Sequence, residues 1–266
     1  MRKRPLLSLA ALLGLTLSVH AFDAVETFDY TPGSALNGQN GGTGWDGAWF
    51  GSSTPTVESP NLDFPDSSEQ GNKAVLPYDS PFGSTYTIFR ELGTTVSGAT
   101  ATTASFSFLF NLTGNDEETG IRFAGLSLFS GTGTELLFFG KPGNTTEVGI
   151  EKYAGGTLVR GVDTSFSSST VFLFEADFVL SPDANSTVTV TLSSNAGDGT
   201  LLATWSDLSL GTGFSFDHIR LIRDYALDSD INPEVDEVKI STVPEPSAGL
   251  LVLLGTGLLL RRRRRK

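Results

Sequence analysis

The segment Ser105-Phe106-Ser107-Phe108-Leu109-Phe110 alternates small polar and aromatic residues. Successive side chains of a β-strand point to opposite faces, so the three phenylalanines share one face. The segment Thr187-Val188-Thr189-Val190-Thr191-Leu192 alternates in the same way, with aliphatic residues on one face and threonines on the other. Both segments therefore predict strands that bury one face against a core.

Similar runs occur along the middle of the chain and are separated by turn-forming clusters such as Gly131-Thr132-Gly133. Two runs, Leu136 to Phe139 and Val171 to Phe174, are apolar throughout, which predicts strands that are buried on both sides or covered by a loop. About a dozen strands without an amphipathic helix predict an all-β fold, an antiparallel two-sheet β-sandwich. The other predicted strands are Ala74 to Leu76, Thr85 to Leu92, Ile121 to Phe129, Val148 to Tyr153, Thr157 to Arg160, Leu201 to Trp205, Phe214 to Arg223 and Val235 to Ile240.

Composition and charge exclude several classes of function. The 266 residues include no cysteine, which excludes disulfides, thiolate metal sites and cysteine nucleophiles. The formal net charge is −12, and half of the 18 basic residues lie at the two ends of the chain. Residues 22–243 hold nine basic and 29 acidic residues, a formal charge of −20. Such a body repels phosphate backbones, so we expect no nucleic-acid partner.

The N-terminus predicts a secretory signal peptide over residues 1–21. Arg2-Lys3-Arg4 forms a basic start, Leu6 to Val19 an apolar stretch, and Val19-His20-Ala21 a small-residue cleavage site. A buried helix is the alternative, but no polar face interrupts the apolar stretch. We therefore expect the body to be exported.

The C-terminus predicts a short transmembrane helix. The apolar run Ala248 to Leu260 would rise about 20 Å as a helix, and could cross a ~30 Å hydrocarbon core if the bilayer thins. A buried core helix is the alternative, but this run has no polar face. Basic residues after the run favour the cytoplasmic side. The stop-transfer block would consist of Arg261, Arg262, Arg263, Arg264, Arg265 and Lys266.

The order of motif, apolar run and basic cluster resembles the PEP-CTERM sorting signal of Gram-negative bacteria that make exopolysaccharide. The resemblance implies an exosortase partner, a membrane-embedded transpeptidase of cysteine type, and a membrane-anchored precursor whose body reaches the cell surface or the exopolysaccharide matrix. The implied domains are the signal peptide 1–21, a sandwich 22–242 and the sorting signal 243–266. The implied sorting motif is Val243, Pro244, Glu245 and Pro246.

A second resemblance concerns the body. The segment Glu26 to Trp49, with its glycine-rich second half, is similar to the opening of jelly-roll domains of the laminin-G or concanavalin-A-like type. The segments Phe216 to Leu221 and Asp236 to Ile240 are similar to the closing strands of such domains. The resemblance implies one jelly roll whose first and last strands lie near each other.

Two features bear on catalysis. His20 leaves with the signal peptide, so a catalytic triad would depend on His218, which the strand pattern predicts to be a surface residue opposite Ile219 and Leu221. The pair Glu175 and Asp177 resembles the E-x-D-x-x-E strand of jelly-roll glycosidases, but Leu180 stands in place of the second glutamate. We therefore predict no enzyme. A jelly-roll enzyme acting on polysaccharide, similar to glycoside hydrolases, is the alternative.

Two further features bear on ligands. Asp228 and Asp230 have the spacing of calcium ligands, although Pro233 and Lys239 occupy positions where an EF-hand needs glycine and glutamate. We therefore expect no cofactor. A looser calcium site at these two residues is the alternative. Trp45 and Trp49 either contact a glycan or pack at the end of the sandwich, and packing is favoured.

The sequence thus predicts an exported surface or matrix protein, a structural or glycan-binding sandwich with exopolysaccharide as a potential partner. Adhesion to a protein through a sheet edge is a third alternative, for which no residue provides a signal.

Overall fold

The computed structural model describes residues 21–65, 71–77, 85–113, 123–143, 147–153, 161–163, 169–196, 199–224 and 232–243. These residues form strands and no helix. In chain order the strands are β1 (Asp23–Glu26), β2 (Phe50–Gly51), β3 (Thr56–Glu58), β4 (Lys73–Val75), β5 (Tyr86–Ser97), β6 (Thr103–Thr113), β7 (Ala124–Ser130), β8 (Thr134–Lys141), β9 (Glu147–Lys152), β10 (Val162–Asp163), β11 (Phe172–Val179), β12 (Asn185–Ser194), β13 (Thr200–Thr212), β14 (Ser215–Arg223) and β15 (Asn232–Val243).

The strands form two antiparallel sheets. One has the order β13-β12-β11-β6-β15-β4-β3, with β1 also paired to β15, and the other has the order β10-β9-β8-β7-β14-β5-β2. Neighbours such as β6 and β15 are far apart in the chain, because the connections cross repeatedly between the sheets. The two-sheet antiparallel sandwich predicted from the alternation is confirmed, and its topology is that of a jelly roll.

The predicted signal peptide, residues 1–21, lies outside the described residues except for Ala21, and the predicted transmembrane helix, residues 248–260, lies outside them entirely. Within the described ranges, no helix is long and apolar enough to cross a membrane.

The core lies between the two sheets and is rich in phenylalanine. Phe106, Phe108 and Phe110 of β6 all point into it, as their alternation predicts. Phe108 stacks on Phe174 of β11 with 5.1 Å between ring centroids. Phe139, from β8 of the facing sheet, packs on Phe106 at 5.3 Å. The rings therefore join the two layers directly.

The apolar runs that lack alternation have the two predicted explanations. In β8, every residue from Leu136 to Lys141 is buried, so this strand is covered on both faces. In β11, the outward-facing Leu173 packs on a small second cluster that includes Leu62 and Phe64 from the loop after β3. A loop therefore covers part of the outer face of the eight-stranded sheet.

The first and last described strands are partners. β1 pairs with β15 in antiparallel register, with Ala24 opposite Ile240. The backbone N–H of Phe22 also donates to Thr242 Oγ1 at 3.0 Å. This confirms the expected proximity of the first and last strands.

Candidate functional site

The tryptophans of the glycine-rich segment pack against the body. Trp49 is 1% exposed, and its indole N–H donates to Glu26 Oε2 at 3.1 Å. Trp45 is half-buried, and its indole N–H donates to the Val25 carbonyl at 3.0 Å. Both indoles therefore pack against the body, and the Trp49 ring has no exposed face. The next residue, Phe50, is 40% exposed.

A buried ion pair organises this segment. Arg90 of β5 is paired with Glu26 of β1, and its guanidinium also donates to the Gly41 carbonyl at 2.5 Å. Tyr30 donates to Glu26 Oε2 at 2.8 Å, and its hydroxyl accepts the Gly41 N–H at 2.9 Å. No local sequence pattern predicts this pair, because its members lie 64 residues apart. All of these contacts hold the glycine-rich loop in place, so the cluster is structural.

The acid pair on β11 is solvent-exposed. Glu175 and Asp177 lie on the outer face of the eight-stranded sheet, opposite the hydroxyl-bearing residues Thr191 and Thr189 of β12. Glu175 Oε2 accepts a hydrogen bond from Thr191 at 3.3 Å. Leu180, which stands in place of the second glutamate of the glycosidase pattern, is buried. The pair therefore lies at the surface of the sheet.

Several predicted site residues lie outside the described part of the chain. They are Asp228, Asp230, Pro244, Glu245, Pro246 and the basic run 261–266. Val243 is described, and it is the exposed last residue of β15. Among the described residues, no group of three or more His, Asp and Glu side chains is placed to hold a metal ion.

His218 differs from its prediction. It lies on the face of β14 opposite the core residue Ile219, as predicted, but it is only 8% exposed rather than at the surface. Phe50 and the His218 ring pack nearly perpendicular to each other, with 6.1 Å between centroids. Its Nδ1 is 2.8 Å from Asp217 Oδ1, and its Nε2 is 3.9 Å from Glu91. Neighbouring side chains therefore cover this part of the outer face.

His218 belongs to a group of aromatic and polar side chains on the outer face of the seven-stranded sheet. Residues directly opposite each other in antiparallel strands point to the same side, so the register places them together. None of them belongs to the core between the sheets. We call this surface the Arg220 face, and it consists of two rows across the strands: Phe50, Phe89, Arg220, Ser127, Phe138 and Glu151, and beside them Glu91, His218, Phe129 and Glu135.

The aromatic part of the Arg220 face is continuous. Phe50 and Phe89 are stacked, with 5.9 Å between centroids and 21° between ring planes. Phe89 meets Phe129 edge to face at 5.3 Å. Aromatic contacts of this kind hold the rings in fixed orientations. The exposed surface of Phe50 is therefore presented to solvent on a rigid base.

The polar part is centred on Arg220. Its Nη2 donates to Glu135 Oε1 at 2.5 Å and to Ser127 Oγ at 3.2 Å. Ser127 in turn donates to Glu135 at 2.5 Å. The guanidinium lies 4.5 Å from the centre of the Phe129 ring. Burial lowers the pKa of Arg220, and the charge of Glu135 opposes that shift. The arginine is thus largely buried and already paired.

Tyr153, just after β9, completes this network. Its hydroxyl donates to Glu151 Oε2 at 2.6 Å. Burial, the hydrogen bond to Glu151 and the charge of Glu135 raise the pKa of Tyr153 far above its usual value. In this arrangement the phenol is a hydrogen-bond donor to the Glu151 carboxylate.

The described part of the chain also contains a cavity of about 230 Å³ between the sheets. This volume is below the range of about 300 to 1,000 Å³ typical of ligand pockets. The Arg220 face is the stronger candidate, because it combines the exposed Phe50 ring with fixed donors and acceptors. Sequence reasoning missed most of it, since its residues come from six strands with no common motif. The lining of the cavity is Leu137, Ile150, Glu151, Lys152, Leu208, Ser209 and Leu210.

No family model matches the chain, and no curated protein matches it. Among solved structures, a protein of unknown function from Shewanella oneidensis MR-1 is 14% identical, with a TM-score of 0.53, over 92% of this chain and 98% of that one. An alginate lyase in complex with alginate tetrasaccharide is 9% identical, with a TM-score of 0.51, over 84% and 97%. A lectin complexed with galactose is 12% identical, with a TM-score of 0.49, over 84% and 98%. The first two similarities show that this chain shares their fold.

Proposed function

We propose that this protein is an exported, surface-directed β-sandwich that binds glycans through the Arg220 face and has no enzymatic activity. The observation that carries the proposal is the exposed Phe50 ring, stacked on Phe89 and bordered by fixed hydrogen-bonding groups. Sugars present apolar C–H faces to aromatic rings and hydroxyl groups to polar side chains. Binding sites of this type combine aromatic surface with a few well-placed polar groups.

Two further observations support the proposal. A solved structure with the same fold holds an alginate tetrasaccharide, so the fold can present a sugar-binding surface. The raised pKa of Tyr153 opposes a role as general base, because such a base works best with a pKa near the operating pH. The first observation supports sugar binding, and the second disfavours base catalysis by Tyr153.

A glycan array probed with the full chain tests this binding. A detergent without a sugar head group should be used in the purification, so that it does not compete. We expect retention on at least one glycan, and Phe50→Ala should weaken it at least tenfold. The control is Val179→Ala, which removes a residue 59% exposed on the outer face of the other sheet. Equal binding by wild type and Phe50→Ala would contradict the assignment.

The second part of the proposal concerns delivery. The signal-like N-terminus and the PEP-CTERM-like end of the chain support export, membrane anchoring through the C-terminal segment and recognition by an exosortase. Deleting residues 248–266 should change the compartment in which the protein is found. Substituting Pro244 and Pro246 by alanine should block processing while keeping the anchor. Unchanged fractionation of the deletion variant would contradict the sorting role.

A second candidate function is hydrolysis of polysaccharide. Its support is the presence of two carboxylates, Glu135 and Glu151, near the Tyr153 hydroxyl on one face, since glycoside hydrolysis uses such pairs. Release of reducing ends by the wild type, abolished in Glu135→Gln and retained in Glu175→Gln, would establish this candidate. Absence of release from every glycan that the protein binds would exclude it.

A further inference from the structure

We infer that the glycan bound by the Arg220 face is uncharged, an inference that rests on the proposed function. The basis is the balance of charge on the face. Four carboxylates, Glu91, Glu135, Glu151 and Asp217, surround one guanidinium, Arg220. With histidine neutral, the formal charge of these five groups is −3.

The most exposed of these charges are negative. Glu91 has a side chain that is 45% exposed, and that of Asp217 is 31% exposed. Both border His218, beside the exposed Phe50. An approaching sugar ring would therefore meet the aromatic surface and these two carboxylates first.

Arg220 is not free to bind an acidic sugar. Its guanidinium is paired with Glu135 and bonded to Ser127, and its side chain is 13% exposed. A uronate carboxylate would have to displace Glu135 and leave that carboxylate without its partner in a partly buried site, which is unfavourable.

The other described cations on the strands of this sheet do not reach the face. Arg90, Lys141 and Arg223 are almost completely buried. Lys152 donates to the backbone carbonyl of Ser209 on β13, in the opposite sheet. No described cation other than Arg220 is therefore positioned to bind a chain of uronic acids through this face.

Neutral sugars fit the same groups. A carboxylate accepts hydrogen bonds from sugar hydroxyls, and such charge-assisted bonds are stronger than those between neutral groups. Like charges repel instead, so the same carboxylates oppose a polyuronate. The ligand class inferred here thus differs from that of the alginate lyase with which the chain shares its fold.

Affinity electrophoresis of the full chain tests the inference, with separate gels containing laminarin, galactomannan, hydroxyethyl cellulose, alginate or polygalacturonate. We expect retardation by at least one of the three neutral polysaccharides and none by the two polyuronates. The retardation should be insensitive to salt between about 50 and 500 mM, since screening acts on charges. Phe50→Ala should reduce the retardation at least tenfold, whereas Val179→Ala should leave it unchanged.

A charge reversal gives a second readout. Glu91→Lys exchanges an exposed carboxylate for an ammonium group, and it should produce salt-sensitive retardation by alginate that the wild type lacks. Retardation of the wild type by a polyuronate, equal to or greater than that by any neutral polysaccharide, would overturn the inference and leave the proposed function standing. Retardation by none of the five, together with no retention on a glycan array, would overturn the proposed function itself.

Discussion

Glu26 and Arg90 form an ion pair inside the sandwich, where both side chains are at most 1% exposed. The carboxylate also accepts hydrogen bonds from Tyr30, Trp49 and the backbone of Phe28. A buried pair of this kind is sustained by such additional bonds, because both charges have lost their hydration. It ties the first strand and the glycine-rich loop to β5.

Removing one partner of this pair should be strongly destabilising. Arg90→Met leaves the Glu26 carboxylate buried without its counter-charge, so we expect a loss of about 3 to 5 kcal/mol in the free energy of unfolding. Urea denaturation followed by tryptophan fluorescence measures it. The control, Lys239→Met, removes a cation that is 41% exposed and should cost less than about 1 kcal/mol. Equal losses in the two variants would contradict the role of burial.

The stability of the protein should decrease as the pH rises through the weakly acidic range, because of Asp236. Burial raises the pKa of Asp236 from 3.8 to about 7, while hydrogen bonds from the Leu62 and Glu237 N–H groups and the charge of Lys73 lower it. Below about pH 4 both the folded and the unfolded chain hold this proton. Between about pH 4 and 7 the unfolded chain releases it first, so folding becomes less favourable, and the loss is complete above about pH 7.

Thermal unfolding at a series of pH values measures this effect in the wild type and in Asp236→Asn. The neutral amide should remove the contribution of this group and flatten the dependence between about pH 4 and 7. Asp177→Asn, at the exposed acid pair, is the matched control and should keep the wild-type slope. An unaltered slope in Asp236→Asn would show that another group is responsible.

Truncating Phe108 should be costly. Its ring stacks on Phe174 and is completely buried, so Phe108→Ala should lower the free energy of unfolding by about 3 to 5 kcal/mol. Phe50→Ala is the comparison. Because the Phe50 ring is exposed, its truncation should lower the free energy of unfolding clearly less. Chemical denaturation of the two variants measures the difference. A loss at Phe50 as large as that at Phe108 would mean that the binding tests need a milder variant.

The glycine-rich loop contains two glycines with positive φ but different surroundings. At Gly44, with φ of +78°, an added Cβ would lie 2.1 Å from the Asp23 carbonyl oxygen. At Gly47, with φ of +94°, nothing lies within 4 Å. Gly47→Ala should therefore cost about 1 to 2 kcal/mol from backbone strain, and Gly44→Ala more, because β1 must also move. Thermal unfolding of both variants measures the two losses of stability. A larger loss in Gly47→Ala than in Gly44→Ala would contradict this expectation.

Local patterns predicted the fold well, because a strand that buries one face has alternating apolar and polar residues. The alternating runs around Phe108 and Val190 correctly predicted which side chains point into the core. The unbroken apolar runs around Leu137 and Leu173 correctly predicted strands that are buried on both sides or covered by a loop. The lengths of β13 and β15 were underestimated. Register shifts in these strands, such as that between Asp236 and Lys239, interrupt the period of two on which the prediction relies.

Such local patterns could not predict most of the candidate site. Glu91, Glu135 and Glu151 lie on different strands, and only the sheet register brings them to one face. His218 was assigned to the correct side of its strand but to the wrong exposure, since its covering partner Phe50 belongs to a distant segment. Periodicity specifies the direction of a side chain, whereas its neighbours depend on topology.

The pairing of β1 with β15 also has a consequence for the timing of folding. β15 is the last of the described strands to be synthesised, yet it lies between β6 and β4 in the interior of the eight-stranded sheet. A chain that emerges N-terminus first from a ribosome or an export channel cannot complete this sheet until residues 232–243 have passed. Contacts between residues so far apart in sequence also form slowly. The body therefore remains open during synthesis, and it closes only after its final strand has arrived.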